Sequence, residues 1–249
     1  MFLNIIYHKY FVFIFKNIVL YTINMTKICI FMPTTITVDE NCYLYKENQL
    51  TSNNIRENQY IEGIKKIYEL NKEKNIDIYL CDNSTFFNND STLKDYLLNN
   101  TKIHIINNVP NVYGKYNKGC GLIEQWLYNK DILSKYDYII HFEPRLLLQS
   151  NLFIDNFMLN PRTIFNSGGG YFNKDNNSYK HYNTGLFSIK TDVLLQFINL
   201  ININGINSII RQSIEYIIFD FIKNNNITID LIDKLDLWWF PANEEKMYF

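Results

Sequence analysis

Glycine and proline are scarce in this chain: nine glycines and five prolines in 249 residues. Long linkers and low-complexity spacers draw on those residues, so a single folded unit is expected. The four cysteines, Cys29, Cys42, Cys81 and Cys120, form no CxxC pair and have no histidine cluster beside them. That excludes a zinc module and leaves thiols in a reducing, cytoplasmic setting. The formal net charge is -1, with no basic excess for a nucleic-acid partner. Nor is there an uninterrupted membrane-length apolar run. Residues 1–24 are apolar and aromatic, but Lys9 and Lys16 interrupt them and no small-residue cleavage site follows. They read as an upstream extension before a start at Met25, or as a weak membrane anchor, or as an extra helix. The domain proper is expected over 25–249.

What the chain has in abundance is apolar and aromatic side chains, 47% and 16% of residues, enough for a large core. Residues 28–32, 76–81, 103–106, 136–142, 182–189 and 227–232 are apolar runs of strand length. Residues 54–71 place Ile55, Ile61, Ile64, Ile67, Tyr68 and Leu70 at helical spacing, with Glu57, Glu62, Lys65, Lys66 and Glu69 between them. Further helices are expected over 92–98, from 117 to about 134, and over 151–159, 192–201 and 206–223. Gly168–Gly170 marks a loop. Alternating strands and helices predict an α/β fold, a mostly parallel central sheet covered on both faces. Ligands of such sheets sit at the carboxyl ends of the strands. Thr34, Asp82, Glu143 and Asn183 all fall near strand ends in this reading.

Five clusters carry polar chemistry. Pro33, Thr34 and Thr35 follow the first strand, and Asp82 and Asn83 the second; they suit a ribose or base, or an ordinary turn. Asn117, Lys118, Gly119, Cys120 and Gly121 open a helix whose N–H groups and lysine suit a diphosphate. They match neither the dinucleotide-binding glycine pattern nor the P-loop. His141, Glu143 and Arg145 end an apolar strand. His141 and Glu143 share a side and could hold a divalent metal or a sugar hydroxyl, and Arg145 a phosphate. The alternative is an internal Glu143–Arg145 ion pair. Asn183, Thr184 and Gly185 interrupt another strand, as a sugar pocket or a bulge. Glu215 or Asp220 offers a general base on a helix, or a solvated face. Trp238 and Trp239 could stack on a sugar or fill the core.

In this order the pieces resemble the GT-A glycosyltransferases over most of the chain after Met25, from about Lys27 to Trp239. The resemblance rests on Thr34 after strand one, Asp82-Asn83 after strand two, and the strand Tyr-Asp-Tyr-Ile-Ile at 136–140. Asn183-Thr184-Gly185 and the acidic Glu215 complete it. It implies a GT-A (Rossmann-like) domain that transfers a hexose or pentose from a nucleotide-diphosphate sugar to a glycan or glycoprotein acceptor. The strand phrase through Arg145 also looks like enzymes of large DNA viruses and bacteria that build surface glycans, which would place the protein in a host cytoplasm if viral. The resemblance implies nucleotide-sugar binding by Pro33, Thr34, Thr35, Asp82, Asn83, Asn117, Lys118, Gly119, Gly121, Arg145, Asn183, Thr184 and Gly185. It implies catalytic Glu143 and Glu215, acceptor stacking on Trp238 and Trp239, and Mn2+ or Mg2+ on His141 and Glu143. The sequence departs from the family at one place: His141-Phe142-Glu143 stands where the family has Asp-x-Asp. A sugar nucleotidyltransferase is disfavoured because Pro33-Thr34-Thr35-Ile36 replaces a glycine-rich basic loop. A methyltransferase is disfavoured for want of a glycine-rich turn there. A non-catalytic nucleotide-sugar-binding protein of the same fold is the other alternative.

Overall fold

The computed structural model of the chain describes residues 26–39, 42, 53–88, 91–167, 171–172, 178–179, 181–239 and 247–248. The expected extension over 1–24 and the Gly168–Gly170 loop lie outside them.

Strand β1 (Ile28–Thr34) is apolar on both sides because it is central, with Ile30 and Met32 facing one core and Cys29 and Phe31 the other. Helix α1 (Asn53–Asn71) leads to β2 (Asp77–Asp82), and α2 (Thr92–Asn100) to β3 (His104–Ile106). Helices α3 (Lys118–Tyr128) and α4 (Lys130–Leu133) then bring the chain to β4 (Tyr138–Phe142). Next come β5 (Leu146–Leu148), α5 (Leu152–Leu159), β6 (Ile164–Ser167), β7 (Tyr171–Phe172), β8 (Ser178–Tyr179) and β9 (Tyr182–Lys190). Helices α6 (Thr191–Ile209) and α7 (Ile214–Asn224) precede β10 (Asp230–Ile232), β11 (Leu237–Trp239) and β12 (Met247–Tyr248).

Seven strands form the main sheet, in the order β10-β6-β9-β4-β1-β2-β3. Its β4-β1-β2-β3 portion is parallel, and β10 is parallel to β6. Strand β9 runs antiparallel to both β4 and β6. One core packs α1, α2 and α5 against a face, and the other packs α3, α6 and α7 against the opposite face. This is the α/β architecture, mostly parallel and covered on both faces, that the alternation of elements predicts. From β1 the order steps outward to β2 and β3, then jumps back across β1 to β4. The C-terminal ends of β1 and β4 therefore flank a topological switch point, where the crossovers diverge and leave a crevice.

Several boundaries differ from the sequence expectation. Strand β9 is continuous, and its irregularity is a register shift against β6 between Ile164 and Asn166. The helices expected over 192–201 and 206–223 divide elsewhere. Helix α6 runs through a kink at Asn202 (φ 41°), and the chain breaks at residues 210–213. A tertiary contact caps the break: the Asn117 side chain donates to the carbonyls of Ile210 (2.8 Å) and Gln212 (3.0 Å). Helix α1 buries most of the expected face: Ile64, Ile67 and Tyr68 are buried, and Ile61 and Leu70 pack against the same core. Ile55 departs from it at 51% exposed, and Arg56 and Tyr60 join the buried side. Among the described residues no helix is long and apolar enough to cross a membrane.

Candidate functional site

A pocket of about 280 Å3 opens at the switch point. Strand β1 contributes Pro33 and Thr34, with Thr35 just beyond, and β4 contributes His141, with Glu143 and Arg145 just beyond. Helix α3 supplies Lys118, Gly119, Gly121 and Gln125, and α7 supplies Ile214 and Glu215. Thr184 reaches the same edge because β9 is antiparallel: its first residues lie beside the last of β4, and the Glu143 N–H donates to the Gly185 carbonyl at 2.7 Å. An antiparallel neighbour enters where parallel strands leave.

Of the residues expected from the sequence, Pro33, Thr34, Thr35, Lys118, Gly119, Gly121, His141, Glu143, Arg145, Thr184 and Glu215 line this pocket. Asp82 stands behind its wall. The Asp82 carboxylate is wholly buried and accepts from Thr34 Oγ1 (2.8 Å), Ile36 N (3.0 Å), Ser84 N (2.9 Å) and Ser84 Oγ (2.5 Å). Burial raises its pKa, and these donors work against that rise. It shapes the pocket by pinning the loop after β1. Asn83 acts alike, accepting from Thr35 Oγ1 at 2.5 Å. Asn117 caps α3, accepting from Cys120 N at 3.1 Å. Asn183 Oδ1 accepts from Gly185 N at 2.8 Å, a turn within the strand. Trp238 does not line the pocket. Its strand β11 pairs with β5 and β12 in a separate sheet, and that strand also carries the backbone of Trp239. Asp220 is exposed and does not line the pocket.

Seven lining residues escaped the sequence reading: Val38, Arg56, Tyr60, Gly114, Leu122, Gln125 and Ile214. Arg56 carried a signal, since it precedes Tyr60 by four residues and Ile64 by eight, the spacing of one helix face. A cation on that row has to be paired or used. Gln125 joins α3 to the end of β1 by two bonds of 3.2 Å, one from Thr34 N and one to Thr34 O. Gly114 touches the pocket because a carboxylate beneath it holds its loop. Glu124 accepts from Val112 N (2.9 Å), Tyr113 N (2.9 Å) and Gly114 N (3.2 Å). A Cβ on Gly121 would lie 2.8 Å from the Gly114 Cα, so that approach requires glycine.

The electrostatics are dominated by cations. Arg145 Nε donates to Glu143 Oε1 at 2.9 Å, and its Nη2 donates to the same oxygen. The ion pair considered from the sequence is thus present. Burial opposes both charges. Arg145 nevertheless holds Glu143 below the usual carboxylate range, and Glu143 with Tyr60 lifts Arg145 above the usual guanidinium value. Arg56, 3% exposed, is pulled down by burial and then by the charge of Arg145. Lys118 is lowered by desolvation and again by Arg145. Glu215 accepts from Thr184 Oγ1 at 3.2 Å and from Ser213.

His141 is a core residue that touches the pocket. It stacks on Phe187 at 4.6 Å and meets Trp126 edge-on at 5.5 Å. Burial pushes its pKa down to about 3, against the opposing pull of Glu143 and a bond to the Thr184 backbone, so it is neutral at ordinary pH. Its Nδ1 is buried without a partner. That atom suits a metal, but the surroundings do not. Among the described residues no three His, Cys, Asp or Glu side chains gather to hold one. Three cations line the same space, and Glu143 is already engaged by Arg145. The residues present do not fit a divalent cation.

No family model matches the sequence, and no curated protein is recognisably similar to it. Among solved structures the chain is similar to a protein of Desulfovibrio desulfuricans G20 described as a candidate nucleotide-diphospho-sugar transferase, with 10% identity and a TM-score of 0.48. That match covers 85% of this chain and 83% of the other.

Proposed function

We propose that the protein is a glycosyltransferase that moves a sugar from a nucleotide-diphosphate sugar to a hydroxyl acceptor. One observation carries this reading: a switch-point crevice lined by three cations, Arg56, Lys118 and Arg145, and by two carboxylates, Glu143 and Glu215. A diphosphate wants the first set, and a reacting sugar wants the second. The loop of Pro33, Thr34 and Thr35, pinned by Asp82 and Asn83, would receive the nucleoside. Lys118 and the N-terminus of α3, with Gly119 and Gly121, would face the diphosphate. Thr184 and Glu143 would meet the sugar, with Asn183 and Gly185 shaping their strand.

In the reaction an acceptor oxygen bonds to the anomeric carbon. The bond from that carbon to the diphosphate breaks, and its electron pair leaves with the nucleoside diphosphate. If configuration inverts, the hydroxyl proton passes to a carboxylate facing the acceptor. Glu215 suits that role, since it lines the pocket from the first turn of α7.

The test is release of free nucleotide from a panel of UDP- and GDP-sugars, by wild type and by Glu143→Gln and Glu215→Gln. Wild type should release nucleotide, faster with a suitable acceptor, and each variant should lose at least about a hundredfold, the range of one acid–base group. Tight binding with no release or transfer would instead favour a nucleotide-sugar-binding protein. Near-normal turnover in Glu143→Gln would remove Glu143 from the site.

A further inference from the structure

We propose that Arg56 and Arg145, which line one pocket with Tyr60, form a phosphate-chain clamp that neutralises the diphosphate without a divalent cation. This deepens the glycosyltransferase reading and rests on it for the identity of the ligand. Four observations support it. Both guanidiniums line the pocket and both are buried. Their protein acceptors are too few: Arg56 Nη2 donates to Thr35 O at 2.6 Å and to Tyr60 Oη at 3.4 Å, while Arg56 Nε and Nη1 and Arg145 Nη1 have none. The pair is held rigidly. Tyr60 Oη accepts from Thr35 N (3.3 Å) and from Arg56 Nη2 (3.4 Å), and its presence favours the charge of Arg145. Gly63 lets α1 close onto the Glu143–Arg145 turn so tightly that a Cβ there would fall 1.8 Å from the Pro144 carbonyl. Finally, the lining itself is rich in positive charge: Arg56, Lys118 and Arg145 stand with the carboxylates Glu143 and Glu215, and Asp82 is buried behind the wall.

A planar guanidinium offers paired donors that match phosphate oxygens, and two such groups on one wall span adjacent phosphates. The divalent cation does the same work elsewhere by bridging those oxygens. Here a divalent cation in that space would be repelled by the two guanidiniums already buried beside it. The arginines and the metal are therefore alternatives, and this chain carries the arginines.

The experiment is calorimetric titration of the full chain with inorganic pyrophosphate, UDP and GDP, first in EDTA and then with Mn2+. Pyrophosphate and one nucleoside diphosphate should bind in EDTA, with affinity changed less than about threefold by Mn2+. Arg56→Met should weaken both by on the order of tenfold or more, the loss of a charge-assisted bond, and Arg56→Lys should recover part of it. Binding that requires Mn2+, or an Arg56→Met protein that binds like wild type, overturns the clamp and leaves the glycosyltransferase reading standing. Arg56-dependent pyrophosphate binding with no gain for either nucleoside diphosphate supports the clamp and overturns the nucleotide reading. No binding under either condition overturns both. If Arg56→Met does not fold, the comparison of EDTA with Mn2+ on wild type decides alone.

Discussion

A buried guanidinium with idle N–H groups costs the folded state free energy, of order 1–3 kcal/mol per unsatisfied group. Arg56 and Arg145 both carry such groups. Both side chains also line the pocket, where a bound anion would offset part of that cost. Glu143 is less simple than its position at a strand end suggests. Loss of a carboxylate that served chemistry alone would stop turnover and leave the fold intact. Its bond to Arg145 changes that expectation, since Glu143→Ala would strand a buried cation. With both partners buried, such a loss costs about 3–5 kcal/mol. The Glu143 side chain is 32% exposed, so roughly 2 kcal/mol is a fair expectation. The glutamine variant keeps an acceptor for Arg145 and separates chemistry from stability. His141 supports a prediction of its own. Its pKa is about 3 in the fold and about 6.5 when unfolded, so between those values only the unfolded chain takes up its proton. Stability from this group is complete above about pH 6.5 and is lost as pH falls towards 3, by about 1.4 kcal/mol per pH unit. Unfolding titrations of His141→Phe should have a shallower acid slope over that window than wild type, whereas parallel curves would contradict the burial argument.

At the level of elements, the decisive contact is between α1 and the turn after β4. The i, i+4 row of Arg56, Tyr60 and Ile64 puts a cation, its phenol partner and a core residue on one stripe. Gly63, beside that stripe, sets how close it comes. Gly63→Ala would place a methyl against backbone oxygens on two sides, Pro144 O at 1.8 Å and Leu146 O at 2.8 Å, neither of which can swing away. Helix and turn must part, at about 2–3 kcal/mol, and Arg56 and Arg145 part with them. Thermal melts should show the destabilisation. Pyrophosphate binding should weaken in the same variant although no charged group has changed. A variant with normal melting and normal binding would show that the packing is looser than described.

At the scale of the whole molecule, the site exists because the sheet reverses direction at β1. Six segments, far apart in sequence, meet there, so a ligand that joins them should stabilise the fold as a unit. UDP or GDP, whichever binds, at a hundred times its Kd should add about 2.7 kcal/mol. For a chain of this length that raises Tm by roughly 5–10 °C. The matching nucleoside monophosphate, with one phosphate for the two arginines to share, should raise Tm less at equal concentration. Equal shifts would argue that the nucleoside alone is recognised.

The amino-acid sequence alone determined the α/β class and most elements, because apolar period is a local property. The runs at 28–32 and 76–81 and the helix at 54–71 all lie within a few residues of β1, β2 and α1. It also marked the Thr34, Glu143 and Thr184 segments, because polar side chains interrupting buried strands are locally visible. Only the tertiary structure decided which side chains reach the pocket. Asp82 is spent on its own loop, Asn117 on the α6–α7 connection, and Trp238 on another sheet. Arg56, which belonged to none of the five polar clusters, is buried in the wall. Helix rotation and strand direction settle such matters, and both follow from packing between segments that do not neighbour one another in the chain.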